Sequence, residues 1–141
     1  MDRQAIINEL MKTYGWPDLT MRLALRAQFR CEYCDRDFII SMGDIYDYDA
    51  LLLDCIVPRA KWPEGENDFD NLAVSCRACK FLKRIWDPRD PTDPNLSRAE
   101  LIKRAREYLS PLREAKQRQM AAMRALITRL VTLRGQVKEE V

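Results

Sequence analysis

Ile6, Ile7, Leu10 and Met11 recur on one stripe of a 3.6-residue period and predict a short helix over residues 2–13. The sequence YGWP (14–17) ends it, because Gly15 frees the backbone and Pro17 cannot continue a helix. A second helix is predicted from Leu19 to Phe29, with Thr20 as its cap. After a tight CEYC knuckle, FIISMGDIYDYDALLLD has β-rich ends around Met42-Gly43-Asp44, the pattern of a hairpin or irregular strand pair. LDCIVPR predicts a strand stopped by Pro58; residues 61–71 read as a polar loop and LAVSC as a short apolar segment. Residues 77–86 predict a helix ended by Asp87-Pro88.

The second half of the pattern is simpler. DPRDPTDP (87–94) spaces three Asp-Pro steps and predicts a stiff, extended connector. SRAE (97–100) is a capping box, with Ser97 at the cap and Glu100 reaching back, and opens a helix to about Leu109. Ser110-Pro111 then starts a new helix or kinks the old one. The last helix, 111–134, places Met120, Met123, Ile127 and Leu130 at spacings of 3, 4 and 3, a heptad seam, and Gly135 stops it.

At 141 residues the chain is the size of one ordinary domain. No apolar run approaches the ~18 residues needed to span a bilayer. The acid-containing start MDRQAIINELMKT lacks a long apolar stretch, so no secretory signal is expected and the expected location is cytoplasmic. The net charge of +2 hides an asymmetry: residues 1–96 hold 13 Lys/Arg against 17 Asp/Glu, whereas residues 97–141 hold 11 against 5. The basic third suits either a nucleic-acid partner or a solvated helical face.

Five cysteines change the picture further. In a reducing compartment, Cys-x-x-Cys pairs hold metal more often than disulfides. Cys31-x-x-Cys34 and Cys76-x-x-Cys79 supply four soft ligands from two tight turns, which predicts a structural tetrahedral Zn²⁺ site with no open position. Cys55 stands apart from the pairs.

With these pairs placed around DCIVPRA and DNLAVSCRACKFLK, the stretch from Arg22 to Lys83 resembles the HNH endonucleases, in the branch with a four-cysteine zinc site. The matching positions are Arg30-Cys31, Tyr33-Cys34, Asp54, Ile56, Pro58, Asn71-Leu72, Cys76, Cys79 and Lys83. The resemblance implies an α+β, mostly helical chain with a ββα-metal core, N-terminal helices and a helical C-terminal extension. The expected parts are an N-terminal helix and turn (1–18), an HNH-like zinc-binding domain (19–86), the connector (87–96) and the extension (97–141).

The same resemblance implies phosphodiester hydrolysis through a divalent cation such as Mg²⁺ or Mn²⁺. Asp54 then falls at a metal carboxylate position, Asn71 at the residue that orients the loop and base, and Cys55 at the general-base position, where the family has histidine. Lys80 stands where the family has Asn or His near the metal. The chain has no histidine at all, so no other imidazole substitutes. A free thiol is mostly protonated at pH 7, and a thiolate is poorly matched to Mg²⁺. An HNH-like protein that binds nucleic acid with cleavage lost or impaired is the expectation, and an active metal-dependent nicking enzyme using Asp54 is the alternative. With the cation absent, Lys80 is expected to pair with Asp54. Arg59, Lys61, Arg77, Lys80, Lys83 and Arg84 are the expected phosphate contacts, with DNA as the expected partner and RNA as the alternative. A scaffold role, docking a protein partner or a second copy through helix 111–134, is the rival class, with exposed Trp62 as a further contact.

Overall fold

The computed structural model describes residues 2–15, 18–41, 43–47 and 49–135. Helix α1 spans Arg3–Tyr14. Asp2 caps it by accepting from the Ala5 N–H at 2.8 Å, and Gly15 closes it in the left-handed conformation at φ 57°. Pro17 lies outside the described residues. Helix α2 spans Asp18–Arg26, so Thr20 sits inside it rather than capping it. It stops short of Phe29 because Gln28 and Phe29 both turn to positive φ, at 54° and 55°. Ile7 of α1 packs with Ala24 and Phe29 in a small core of their own.

The hairpin expected around Gly43 is not formed. Phe38–Ser41 make a single helical turn, α3, and Ile45–Asp47 a 3₁₀ turn capped by the Asp44 carboxylate on the Tyr46 N–H; Met42 and Tyr48 lie outside the described residues. Phe38 is buried in the main core while Ile40, Ile45 and Tyr46 are exposed. The apolar residues that read as β-rich therefore do not lie on one sheet face. Only Leu52–Cys55 forms a strand, β1, and it pairs antiparallel with β2, Leu72–Ser75. The register sets Asp54 opposite Ala73 and Cys55 opposite Leu72. Helix α4, Arg77–Lys83, follows β2 directly and packs on β1. β1, β2 and α4 thus form the expected ββα unit, and the protein is α+β and mostly helical.

The Asp-Pro connector is folded rather than extended. Asp87, Asp90 and Asp93 each accept a hydrogen bond from the backbone N–H two residues on, at 2.9, 2.9 and 3.4 Å. Each proline follows an aspartate whose side chain closes its own turn, and the segment curls back instead of spanning distance. Pro88 is buried, and Arg104 donates to its carbonyl at 2.6 Å.

One helix, α5, runs from Arg98 to Arg134, so Ser110-Pro111 does not start a new one. Ser97 caps it, accepting from the Glu100 N–H at 3.2 Å. Pro111 removes one N–H inside it, but Pro111 and Glu107, whose carbonyl loses that bond, are both exposed, so water satisfies the orphan. The first half of α5 belongs to the core: Ala105 and Leu109 are fully buried with Leu23, Tyr33, Phe38, Ile56 and Val74. Tyr108 stacks on Trp86, ring centroids 4.1 Å apart and planes within 2°. No described helix is long and apolar enough to cross a membrane.

Candidate functional site

Two tight turns bring four sulfurs together. In the first, the Cys31 carbonyl accepts from the Asp35 N–H at 2.9 Å, and the Cys31 N–H donates to the Arg36 carbonyl at 2.9 Å. Asp35 adopts φ 65°, a left-handed conformation that aspartate tolerates better than most residues. In the second, Cys76 is the N-cap of α4 and Cys79 lies one turn in; the Cys79 N–H donates to the Cys76 sulfur at 3.4 Å. The Cys76 N–H reaches across to the Cys31 sulfur at 3.3 Å.

The sulfurs of Cys31, Cys34, Cys76 and Cys79 all lie within 4.8 Å of one another, and those of Cys34 and Cys76 are 3.7 Å apart. A tetrahedron of Zn–S bonds ~2.3 Å long has sulfurs about 3.8 Å apart. The donor set, the spacing and the N–H bonds that stabilise thiolate charge all fit a closed tetrahedral metal centre. Such crowded thiols cannot titrate independently: hydrogen bonds from Cys31 pull Cys34 and Cys76 down, while shared protons hold Cys31 and Cys79 up. Helix α5 braces the cluster. Arg113 points a guanidinium nitrogen at the Cys79 sulfur, 3.7 Å away. Arg106 donates to the Glu32 carbonyl at 2.7 Å and grips both oxygens of Asp35. Arg98 pairs with Glu32 at 2.8 Å, and the other Glu32 oxygen accepts from the Val74 N–H at 2.7 Å.

A second centre lies beside the first, on β1. The Asp54 carboxylate is 6% exposed. Its Oδ2 accepts from the Tyr33 hydroxyl at 2.7 Å and meets the Lys83 ammonium at 3.1 Å. Lys83 is 1% exposed and also donates to the Cys55 carbonyl at 3.0 Å. Burial and the adjacent Asp54 charge push the Tyr33 hydroxyl well above its ordinary range, so it stays a donor. One oxygen of the carboxylate at the expected metal position, Oδ2, is thus already held by a cation and a hydroxyl.

The cation on Asp54 is Lys83, not Lys80. Lys80 donates instead to the Leu53 carbonyl at 2.6 Å. Both lysines lie on the strand-facing side of α4, Lys80 four residues beyond Cys76 and Lys83 four beyond Cys79, and it is Lys83 that is buried against Asp54 while Lys80 ends on the β1 backbone. The same fact removes Lys83 from the set of expected phosphate contacts.

The remaining expected residues divide as clearly. Cys55 is half-buried, its sulfur 4.0 Å from the Glu66 carbonyl, and burial first, then the Asp54 charge, raises its thiol further from ionisation. Asn71 is buried and pins the following loop: its Oδ1 accepts from the Val57 N–H at 2.9 Å, and its Nδ2 donates to the Val57 and Gly65 carbonyls at 3.0 and 3.1 Å. Gly65 is required there, because a Cβ would stand 2.2 Å from the Trp62 ring. Trp62 is consequently half-buried over Gly65 rather than displayed. Asn71→Ala leaves the buried Val57 N–H unpaired and should cost about 1–3 kcal/mol in a urea titration. Arg77 is occupied by Asp47 at 3.5 Å and Asp49 at 3.2 Å, and Arg59 pairs with Glu66 at 3.3 Å. Arg59, Lys61 and Arg84 are exposed on the surface.

The fold and site define a class: a small sheet-and-helix protein built on a four-cysteine cluster able to hold a metal, with one buried carboxylate on the strand beside it. Residues 31–80, which contain both cysteine pairs, Asp54 and Asn71, match the family model of the HNH endonucleases. That segment, about a third of the chain, is thus similar to the HNH endonucleases, and it holds four cysteines positioned to bind a metal ion. The comparisons with curated proteins and with solved structures returned no match.

Proposed function

We propose that this chain is an HNH-derived nucleic-acid-binding protein whose cluster holds a structural zinc ion and whose phosphodiester cleavage is lost or severely impaired. The observation that carries this reading is the Lys83 ammonium at 3.1 Å from Asp54. A divalent cation at Asp54 has to displace a buried, hydrogen-bonded positive charge or sit beside it, and both are costly. The base position supports the same reading, since Cys55 is held as a neutral thiol. A thiol neither abstracts a proton from water at neutral pH nor ligates a hard cation well.

Supercoiled plasmid with Mg²⁺ or Mn²⁺ tests the catalytic half. The expected result is no nicking by the native chain beyond the level of Asp54→Ala. Nicking by the native chain that Asp54→Ala abolishes would establish the alternative, a working metal-dependent nuclease. The binding half is tested by duplex DNA affinity against salt. Arg59, Lys61 and Arg84 are the expected set that remains exposed, so the triple alanine variant should flatten the log–log slope by about two to three. An unchanged slope would place phosphate contacts elsewhere or nowhere, and RNA in the same assay separates the two nucleic acids.

A further inference from the structure

Helix α5 leaves the core after Leu112. From Glu114 to Gly135 every residue except Val131 is exposed. Six large apolar side chains lie on this bare stretch: Met120, Met123, Leu126, Ile127, Leu130 and Leu133, each between 42% and 75% exposed. At 100° per residue they occupy one arc of roughly 140°, which the half-buried Val131 at its edge widens to about 160°. This is a core-facing stripe with no core against it. It is also a helix with little intrinsic support. No acid occurs between Ala115 and Gly135, so Glu114 with Arg118, at its very start, is the one i, i+4 acid–base spacing available to it. Helices of this length are marginal in water unless an amphipathic face is packed.

Charge decides what packs there. The same stretch carries Lys116, Arg118, Arg124, Arg129 and Arg134. The heptad frame that puts Met120, Met123, Ile127 and Leu130 on the seam also puts the exposed Lys116 and Arg134 on it. Two parallel copies would set each of these cations against its own counterpart. Two antiparallel copies, centred on the apolar residues, would set Lys116 against Arg134 at both ends. A second copy is thus repelled at the boundaries of the seam in either orientation, and carboxylates are what the boundaries lack. We infer that the distal half of α5 is a docking face for an acidic amphipathic helix of a different protein, whose apolar stripe covers Met120 to Leu133 and whose carboxylates meet the flanking arginines. The inference is independent of the nucleic-acid reading, which rests on other residues.

The probe is a synthetic helical peptide of three heptads with leucine on the seam and glutamate flanking it, labelled for fluorescence anisotropy against the full chain. Its controls are the same peptide with lysine for glutamate and one with the seam scrambled. The acidic peptide is expected to bind saturably. The lysine peptide should bind at least about tenfold more weakly, and the scrambled one not at all. Met123→Asp with Ile127→Asp should abolish binding and leave the thermal transition of the core in place, because both side chains are exposed. Failure of the acidic peptide to bind, or equal binding of the lysine peptide, would overturn the inference. So would a dimer in light scattering that the same double variant dissolves, which would make a second copy the occupant. Seam-dependent binding to phosphatidylserine vesicles in place of the peptide would equally overturn it, in favour of a membrane surface.

Discussion

Removing metal from the four-cysteine cluster should abolish cooperative unfolding of the core. Zinc-finger peptides draw roughly 10–16 kcal/mol of apparent binding energy from such a site, while a whole domain is stable by about 5–15 kcal/mol. Here the cluster has few substitutes. The sheet it anchors has only two strands of four residues each. The knuckle of Cys31–Cys34 is held to the rest mainly through those sulfurs, the Glu32 bonds and the α5 arginines. A strong chelator, or Cys79→Ser, should replace a sharp thermal transition with a broad, weak one, followed by circular dichroism. Much of the helical signal should survive in α5. A sharp, unshifted transition in the chelated protein would mean that apolar packing alone sustains the fold. Metal content measured on the native chain, with zinc expected at one equivalent, identifies the ion.

The second large effect lies at Lys83. Lys83→Met keeps the stem of the side chain and removes the charge, leaving the Asp54 carboxylate buried with the Tyr33 hydroxyl as its remaining partner among those described. Breaking a buried pair from one side costs about 3–5 kcal/mol. The compound variant Lys83→Met, Asp54→Asn should recover most of that loss, because no net charge is left and the amide oxygen still accepts from Tyr33. Urea titrations of the two variants check both statements. If the single variant is no less stable than the native chain, Lys83 is not compensating Asp54, and the main support for a silenced catalytic centre goes with it. Plasmid nicking by the single variant with Mn²⁺ is a further readout: removal of the ammonium frees the carboxylate for metal, yet Cys55 still lacks basicity, so activity should remain low.

How far the sequence led is best seen at particular residues. The two Cys-x-x-Cys pairs and the ββα order were legible because each follows from a local rule, a turn that presents two sulfurs or a strand that ends at a cap. The matched segment from 31 to 80 is the part where those rules are densest. The hairpin around Gly43 failed because apolar β-formers there are used singly: Phe38 is drawn into the core while Ile40 and Ile45 are left outside, and no alternation links them. Of the two readings at Ser110-Pro111, a new helix is excluded: the cost of a helical proline depends on which carbonyl loses its bond, and Glu107 here is an exposed residue. The connector failed for a related reason. Asp-Pro was read through proline's stiffness, and the aspartate side chains set the shape.

At the site, the expected partner of Asp54 was mistaken: Lys83, not Lys80, meets its carboxylate. Lys80 is four residues beyond Cys76 and Lys83 four beyond Cys79, so the helical spacing of the second cysteine pair does not choose between them. Tyr33, Arg106 and Arg113 were harder to see, since a hydroxyl inside a Cys-x-x-Cys turn and arginines that close on it from some 70–80 residues away have no local pattern.

Those arginines give the long helix a mechanical character. Helix α5 is a rod of 37 residues, about 55 Å long at 1.5 Å per residue, clamped over its first half and bare over its second. Arg98, Arg106 and Arg113 bolt the clamped half to the turn that carries Cys31 and Cys34. A rod fixed this way is a cantilever with the metal cluster as its footing. A tilt of ten degrees at the root sweeps the tip through roughly 5 Å, since the bare half is about 30 Å long. Anything that loosens the footing therefore also spoils the aim of the far end, and the small four-cysteine core serves as the bearing from which an otherwise unsupported arm takes its direction.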